Sequence, residues 1–345
     1  MDNNYNYDFW RMMEPMKYYD KQREDLSDNL KKKYDAMVNN ENNEFIASCK
    51  WDGEWTMFIK WDNHILIRSR SLSKVTGEYG NKTYHLPHLV SEMSNWPDNS
   101  VVLGEVCWGK FGTVSTDVGT ILRCLPIKAV ERQKEHKLVA KVFDVLAWND
   151  EVFMTVGYQQ RAEKLLIIFN NQDAFFTPTE FCPDSLTPAE FADDIISRGG
   201  EGVVIQRKDY IYEPGKRAAW KTLKLKQRLP EMEFKVISSI PATKEYGGKY
   251  PESWAYWIDG SPVTKPYFYG WHMGVRFEYN GVLCDASSGL TDADREWLGT
   301  KEAQTTIENG ELYVTVRAMQ ESSLKSLRHP VIIRLRTDIG ANDTK

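Results

Sequence analysis

Cysteine is scarce in this chain of 345 residues: Cys49, Cys107, Cys124, Cys182 and Cys284 are scattered, odd in number and never spaced as C-x-x-C. The pattern argues against a disulfide framework and against a cysteine-based zinc site, so reduced thiols are expected. Long apolar runs are missing too. None approaches the roughly eighteen residues of a membrane-spanning helix, and the start, "MDNNYNYDFW", has neither a basic n-region nor an apolar h-region. No secretory signal is read there, and a cytoplasmic protein without a membrane partner is the expectation. There is no internal repeat and no low-complexity tract. A positive balance is also lacking: 44 Lys and Arg against 49 Asp and Glu give a formal charge of -5. Averaged over the chain, that does not advertise a polyanionic partner.

What is present is ordinary in bulk and uneven in detail. With 41% hydrophobic and 27% charged residues, the chain can bury a sizeable core, and its length favours two domains. Charge is locally clustered. In "RKDYIYEPGKRAAWKTLKLKQR", Arg207 to Arg228, eight Lys or Arg stand against Asp209 and Glu213, and Arg317 to Arg336 holds five against Glu321. Basic stripes in an acidic chain fit a nucleic-acid footprint better than general solubilisation, although a solvated face is the commoner cause of any single run.

Three textures divide the sequence. Residues 1–43 are polar, and Leu26, Leu30, Tyr34 and Val38 recur at helical spacing, so this stretch reads as a polar helical leader; the lysines 31–33 could touch phosphate, though a solvated helix face is the commoner cause of such a run. From 44 to 230, short β-type runs alternate with helical ones. "WTMFIKW" and "HILIRS" flank Asp62-Asn63, a tight-turn pair, and "VVLGEVCW" and "LVAKVFDVLAW" read as buried strands. "TPAEFADDIISRGG" carries a complete helix signature: Thr187 as N-cap, Pro188 first, Glu190 closing a capping box and Gly199-Gly200 as the stop. This is an α+β unit. From 231 to 345, "FKVISSI", "WHMGVRFEY", "VLCDASS", "ELYVTVRAM" and "PVIIRLR" with one helix, "TDADREWLG", suit a small β-barrel such as the five-stranded OB-fold.

The chemistry begins at Lys50 in K-W-D-G. Alone, a lysine before an Asp-Gly turn is most simply a solvated surface residue. It gains company in chain order: Arg70 in "RSRS", Glu105 in "LGEV", Phe143 in "VFDVL", Glu201 in "GGEGVVI", and Lys224 and Lys226 in "LKLK". Lys224 and Lys226 alternate with leucines at period two, so both ammonium groups share one strand face; a plain surface strand would alternate in the same way.

K-x-D-G, S-R, G-E, F-D, E-G-V-V and K-L-K, in that order, resemble the motif series of the covalent nucleotidyltransferases: ATP-dependent DNA ligases, RNA ligases and mRNA capping enzymes. The tail "SLRHPVIIRLRTD" is similar to the C-terminal motif of the ATP-dependent DNA ligases, and "HLPHLV" and "GTILRCLPIKAVERQ" carry a looser likeness to compact bacteriophage ligases. The resemblance implies a nucleotidyltransferase (adenylation) domain over 44–230 and an OB-fold domain over 231–345. It implies a monomeric DNA ligase that seals nicks in double-stranded DNA during repair or replication, in a host's cytoplasm if viral. Lys50 would be the nucleophile that takes AMP from ATP, and Mg2+, with Mn2+ able to substitute, would be bound by Glu201 and Glu105. Phe143 would stack on the adenine, Glu105 or Arg70 would contact the ribose, and Lys224 and Lys226 would act on the phosphates. Arg334, Arg336 and Asp338 would hold the leaving pyrophosphate.

An amine attacks phosphorus only when unprotonated, so the two lysines and a metal are expected to lower the pKa of Lys50. Three positions depart from the family pattern: Trp55 stands where K-x-D-G-x-R ends in arginine, Ser48 where a glutamate commonly reads the adenine amino group, and Ile339 where a lysine often follows the final R-x-D. Either Trp55 takes a stacking role there, or Arg68 or Arg70 replaces the missing arginine. An RNA ligase or a capping guanylyltransferase, and a non-catalytic nucleic-acid-binding module of ligase shape, stay open as alternatives.

Overall fold

The computed structural model describes residues 5–73, 76–112, 115–171, 174–226, 230–248, 251–318, 320–321 and 326–337. The chain divides into two compact units, Met1–Lys226 and Gln227–Lys345.

In the first unit, β1 (Phe45–Cys49), β6 (Gly202–Arg207) and β7 (Thr222–Lys226) form a three-stranded antiparallel sheet in the order β7-β6-β1. Between β1 and β6 in sequence lie β2 (Glu54–Trp61), β3 (His64–Leu72), β4 (Ser100–Cys107) and β5 (Val139–Trp148), which pair as β3-β2-β4-β5 at the centre of a seven-stranded sheet. The hairpin β2–β3 closes at Trp61↔His64 through Asp62 and Asn63, both at positive φ, the backbone that a two-residue turn of matching twist requires. Both faces of the large sheet are covered. Phe58, Ile67, Val102 and Val142 pack under helices on one side, and Trp55, Met57, Ile59 and Leu103 pack on the other.

The polar N-terminal stretch is part of this unit. Trp10 is fully buried against Trp61, Met13 and Met16 join the same cluster, and Lys17–Tyr18 pairs in parallel with Arg217–Ala218. Its helix, α1 (Asp28–Asn39), is shorter than the spacing predicted, because Leu26 is buried just ahead of it in extended backbone. Together α1 and α2 (Pro188–Ser197) cover one face of the three-stranded sheet, with Tyr34, Met37, Phe191 and Ile195 against Ala47, Val203, Ile205 and Leu223. The predicted Thr187–Glu190 capping box is present at the start of α2.

In the second unit, β8 (Met232–Pro241), β9 (His272–Tyr279), β10 (Val282–Ala286), β11 (Tyr313–Arg317) and β12 (Val331–Arg336) form one sheet in the order β10-β9-β8-β11-β12. All five strands feed one core that includes Val236, Phe277, Cys284, Val314 and Ile332. The expected closed barrel is not formed as a continuous ladder. Among the described residues the two edge strands meet at a single bridge, where Ser288 pairs with Val331 and its carbonyl accepts from the Ile332 N–H at 2.8 Å. Gly289 (φ 96°) explains how so short a closure is possible: a Cβ there would lie 2.0 Å from the Ile332 carbonyl.

Candidate active site

The cavity of interest lies within the first unit, between the three-stranded sheet and the central strands β2 to β5 of the seven-stranded one. The pleat decides which side chains reach it. Odd-numbered Val203, Ile205 and Leu223 point into the helix-covered core, so their neighbours point the other way. Ser48, Val204, Gln206 and Lys224 line the cavity from that sheet, and Trp55, Arg70, Glu105 and Phe143 line it from the other, with Lys50, Trp51 and Tyr18. Its volume is about 120 Å3, room for about four waters. Five of the candidate site residues, Lys50, Arg70, Glu105, Phe143 and Lys224, spread over 175 positions, therefore line one cavity.

Lys50 stands directly after β1, its N–H donating to the Gly202 carbonyl at 2.9 Å. That bond places the lysine beside Glu201, and Nζ donates to Glu201 Oε2. Two glycines permit the approach. A Cβ on Gly202, at φ 134°, would sit 2.1 Å from the Leu225 carbonyl, and one on Gly53 would sit 2.2 Å from the Val106 carbonyl. The Asp-Gly turn after the lysine thus lies directly against the strand end that carries Glu105.

The charges do not act on Lys50 in the expected direction. Burial pulls its pKa down, but Glu201, Glu105 and Asp52 outweigh burial and hold it above the ordinary lysine value. The reason is that its nearest charges are carboxylates, while the two lysines expected to repel it share Asp20 as a partner. Lys226 binds Asp20 at 2.8 Å and Lys224 lies 3.7 Å from the same carboxylate oxygen. Burial, helped by Lys226, brings Lys224 down to about 8. Burial also drives Glu105 up to about 8, with Lys50 opposing. For Asp20, burial works upward, but Lys226, Lys224 and Lys50 together keep its pKa below the usual carboxylate value.

The departures from the family pattern have structural outcomes. Trp55 is buried in the cavity wall, paired across the sheet with Glu105. Arg68 is fully buried and donates to the Met13 carbonyl, with its guanidinium 4.0 Å from the Tyr79 ring centre. It therefore does not replace the missing arginine in the cavity; Arg70 is the one that reaches it, donating also to the Met16 carbonyl at 3.3 Å. Asp144, the acid of the F-D pair, forms a fully buried ion pair with Arg161 at 2.7 Å, beneath the strand that carries Phe143. In the second unit, Arg334 and Arg336 share one face of β12, with Arg336 donating to Glu233 and Arg334 to Thr315 Oγ1 at 3.3 Å. Asp338 and Ile339 lie outside the described residues.

Sequence reading missed Asp20, Tyr18 and Trp51, which carry no motif, and also Gln206, whose signal was legible. It is the polar residue that continues the cavity parity of Val204 at the end of an apolar strand. As for a metal, no group of three or more His, Cys, Asp or Glu side chains is present among the described residues. Two carboxylates around Lys50 are a donor set that fits Mg2+, which takes one or two protein carboxylates and completes its shell with water and substrate phosphates.

The family model for the ATP dependent DNA ligase domain matches residues 25–226. Among curated relatives, the DNA ligase of Acidianus ambivalens is 23% identical over 283 residues, covering 78% of this chain and 43% of the relative. The DNA ligase of Methanococcus aeolicus is 25% identical over 316 residues, 85% of this chain and 51% of the relative. The chain thus spans about half the length of the curated relatives it matches. Two solved structures share its fold: a Lig E DNA ligase (17% identity, TM-score 0.59, covering 94% of this chain and 98% of that one) and Pmar-Lig_PreS3 (19%, TM-score 0.60, 94% and 67%). With more than half of its residues matched and Lys50, Glu105 and Lys224 gathered at one cavity, the chain belongs to the ATP-dependent DNA ligase domain family.

Proposed function

We propose that this protein is an ATP-dependent DNA ligase that seals nicks carrying a 5'-phosphate and a 3'-hydroxyl in duplex DNA. The observation that carries the reading is Lys50, a lysine held by Glu201 at the mouth of a cavity lined by Phe143, Glu105 and Lys224. Unprotonated Lys50 attacks the α-phosphorus of ATP. The N–P bond forms, the bond to the bridging oxygen breaks, pyrophosphate leaves and the amine's proton passes to solvent. An oxygen of the DNA 5'-phosphate then displaces the lysine from that phosphorus, and the 3'-hydroxyl displaces AMP.

Phe143 stacks on the base, Arg70 and Glu105 contact the ribose, and Lys224 and Lys226 neutralise the phosphates. A divalent cation, Mg2+ or Mn2+, would be held by Glu201 and Glu105 and would supply the positive charge that offsets charge building on the α-phosphate. Glu201 is what keeps Lys50 protonated, so drawing its charge elsewhere favours the free amine. The five-stranded second unit serves as an OB-type module, with Arg334 and Arg336 and the following Asp338 receiving the pyrophosphate.

The test is incubation with Mg2+ and α-labelled ATP, or equally labelled GTP, with denaturing separation and peptide mapping, then addition of nicked DNA. Label from ATP on the Lys50 peptide, discharged by nicked duplex DNA, is expected. Label from GTP alone would replace this reading with capping chemistry, and no label with a folded, nucleotide-free protein would leave a binding module.

A further inference from the structure

Asp20 reaches the Lys-Leu-Lys strand from a segment that none of the motifs contains. The chain leading to it is tied down on the way. The Lys17 N–H donates to the Lys216 carbonyl at 2.9 Å, and Tyr18, which lines the cavity, pairs in parallel with Ala218. Tyr19 then holds β7 at two points: its N–H donates to Thr222 Oγ1 at 3.1 Å, and its carbonyl accepts from the Lys224 N–H at 3.0 Å. With the backbone fixed there, the next side chain is delivered to the lysines.

It meets both of them with one atom. Asp20 Oδ2 accepts from Lys226 Nζ at 2.8 Å and lies 3.7 Å from Lys224 Nζ. The side chains of Lys226 and Lys224 are 12% and 19% exposed, that of Asp20 39%. An anionic oxygen between two largely buried ammonium groups has the charge and the donors that a phosphate oxygen would have there. The carboxylate offsets the repulsion between the two lysines. A phosphate would do the same with more charge, and it would repel the carboxylate. Asp20 is the partner open to water, so rotation of its side chain is enough to release it while the backbone bonds stay in place.

We propose that Asp20 is an internal competitor for the phosphates of the nucleotide: its carboxylate occupies the anion seat between Lys224 and Lys226 and turns out to solvent when a phosphate takes that seat. The inference rests on the reading above that these two lysines serve phosphates. Asp20 thereby weakens the binding of every ligand whose phosphate uses the seat, and a ligand without phosphate is indifferent to it. A carboxylate that only pins the N-terminal segment predicts the opposite sign, because its loss would loosen the cavity wall and weaken all ligands alike.

The experiment compares ATP, adenosine and inorganic tripolyphosphate on the intact protein and on Asp20→Asn, with Asp20→Ser as a second variant that removes the charge without adding an amide. Binding is measured by calorimetry without divalent cation, below the value of about 8 at which Lys224 loses its charge, and adduct formation on Lys50 is followed separately with Mg2+. Both variants are expected to bind ATP and tripolyphosphate about ten- to a hundredfold more tightly than the unsubstituted protein, the worth of one charge-assisted hydrogen bond no longer displaced. Adenosine should bind equally to all three. Unchanged or weaker binding of ATP and tripolyphosphate in the folded variants overturns the assignment, whether or not Lys50 takes label. Tighter tripolyphosphate binding in the variants of a protein that neither binds adenosine nor labels Lys50 upholds the anion seat while removing the nucleotide reading.

Discussion

Lys50 is held as an ammonium ion by its carboxylate neighbours, so its reactivity depends on what enters the site. Replacing Lys50 by alanine or arginine should reduce ATP-derived label to background, since neither side chain supplies a free amine; mapping of the labelled peptide checks it. Lys224 makes a separate, pH-dependent contribution. Its pKa lies near 8 because burial and Lys226 disfavour its charge. Below that pH it is charged and attracts phosphates; as pH rises through about 8 the charge is lost and ATP binding should weaken. KM for ATP in the labelling step should climb above pH 8, while the rate at saturating ATP rises with pH as Lys50, held above the ordinary lysine value, deprotonates. In Lys224→Arg the guanidinium stays charged throughout. The alkaline rise in KM should vanish there, and its persistence would assign the limb to another group.

At the scale of elements, what the sequence made legible was whatever is decided locally. The Asp62-Asn63 turn, the box from Thr187 to Glu190 and the parity of Lys224 and Lys226 each follow from a few neighbouring residues, and each is present. Pairings closed over long distances were not legible. Nothing near Asp20 says that it meets Lys226, 206 positions later, and nothing in the polar start says that Trp10 is wholly buried. The direction in which the protein's own charges act on Lys50 was not legible either, because it depends on which charges the fold brings nearest. Asp144 belongs to this class too: the motif gave it no task, yet it neutralises the fully buried Arg161, which also donates to the carbonyls of Val156 and Tyr210. Asp144→Asn would strand that guanidinium and should cost about 3–5 kcal/mol of stability, read as a lowered midpoint in urea unfolding of the intact chain. A loss below about 1 kcal/mol, no more than an exposed pair contributes, would mean that the pair is replaceable. Gly202→Ala should be as severe locally, since a Cβ there collides with the Leu225 carbonyl and moves the strand end that bonds the Lys50 backbone.

At the scale of the molecule, the boundary between the two units follows Lys226, the last residue of the Lys-Leu-Lys strand. Every residue placed around the cavity beside Lys50 belongs to the first unit, whereas Arg334 and Arg336 belong to the second, where Glu233 offsets their charge. If the proposed reaction holds, the two units have separable tasks: the lysine chemistry is built into the first, and the arginines act only while pyrophosphate is leaving. Arg334→Ala combined with Arg336→Ala should then slow adduct formation on Lys50 by about ten- to a hundredfold for each charge-assisted hydrogen bond to pyrophosphate that is removed. The same variant should join a nick that already carries AMP on its 5'-phosphate at a rate close to that of the unsubstituted protein, because no pyrophosphate takes part in that step. Measuring the two steps separately distinguishes this from general damage. Equal impairment of both would mean that the arginines support the second unit's sheet or hold DNA, and would remove them from the first step.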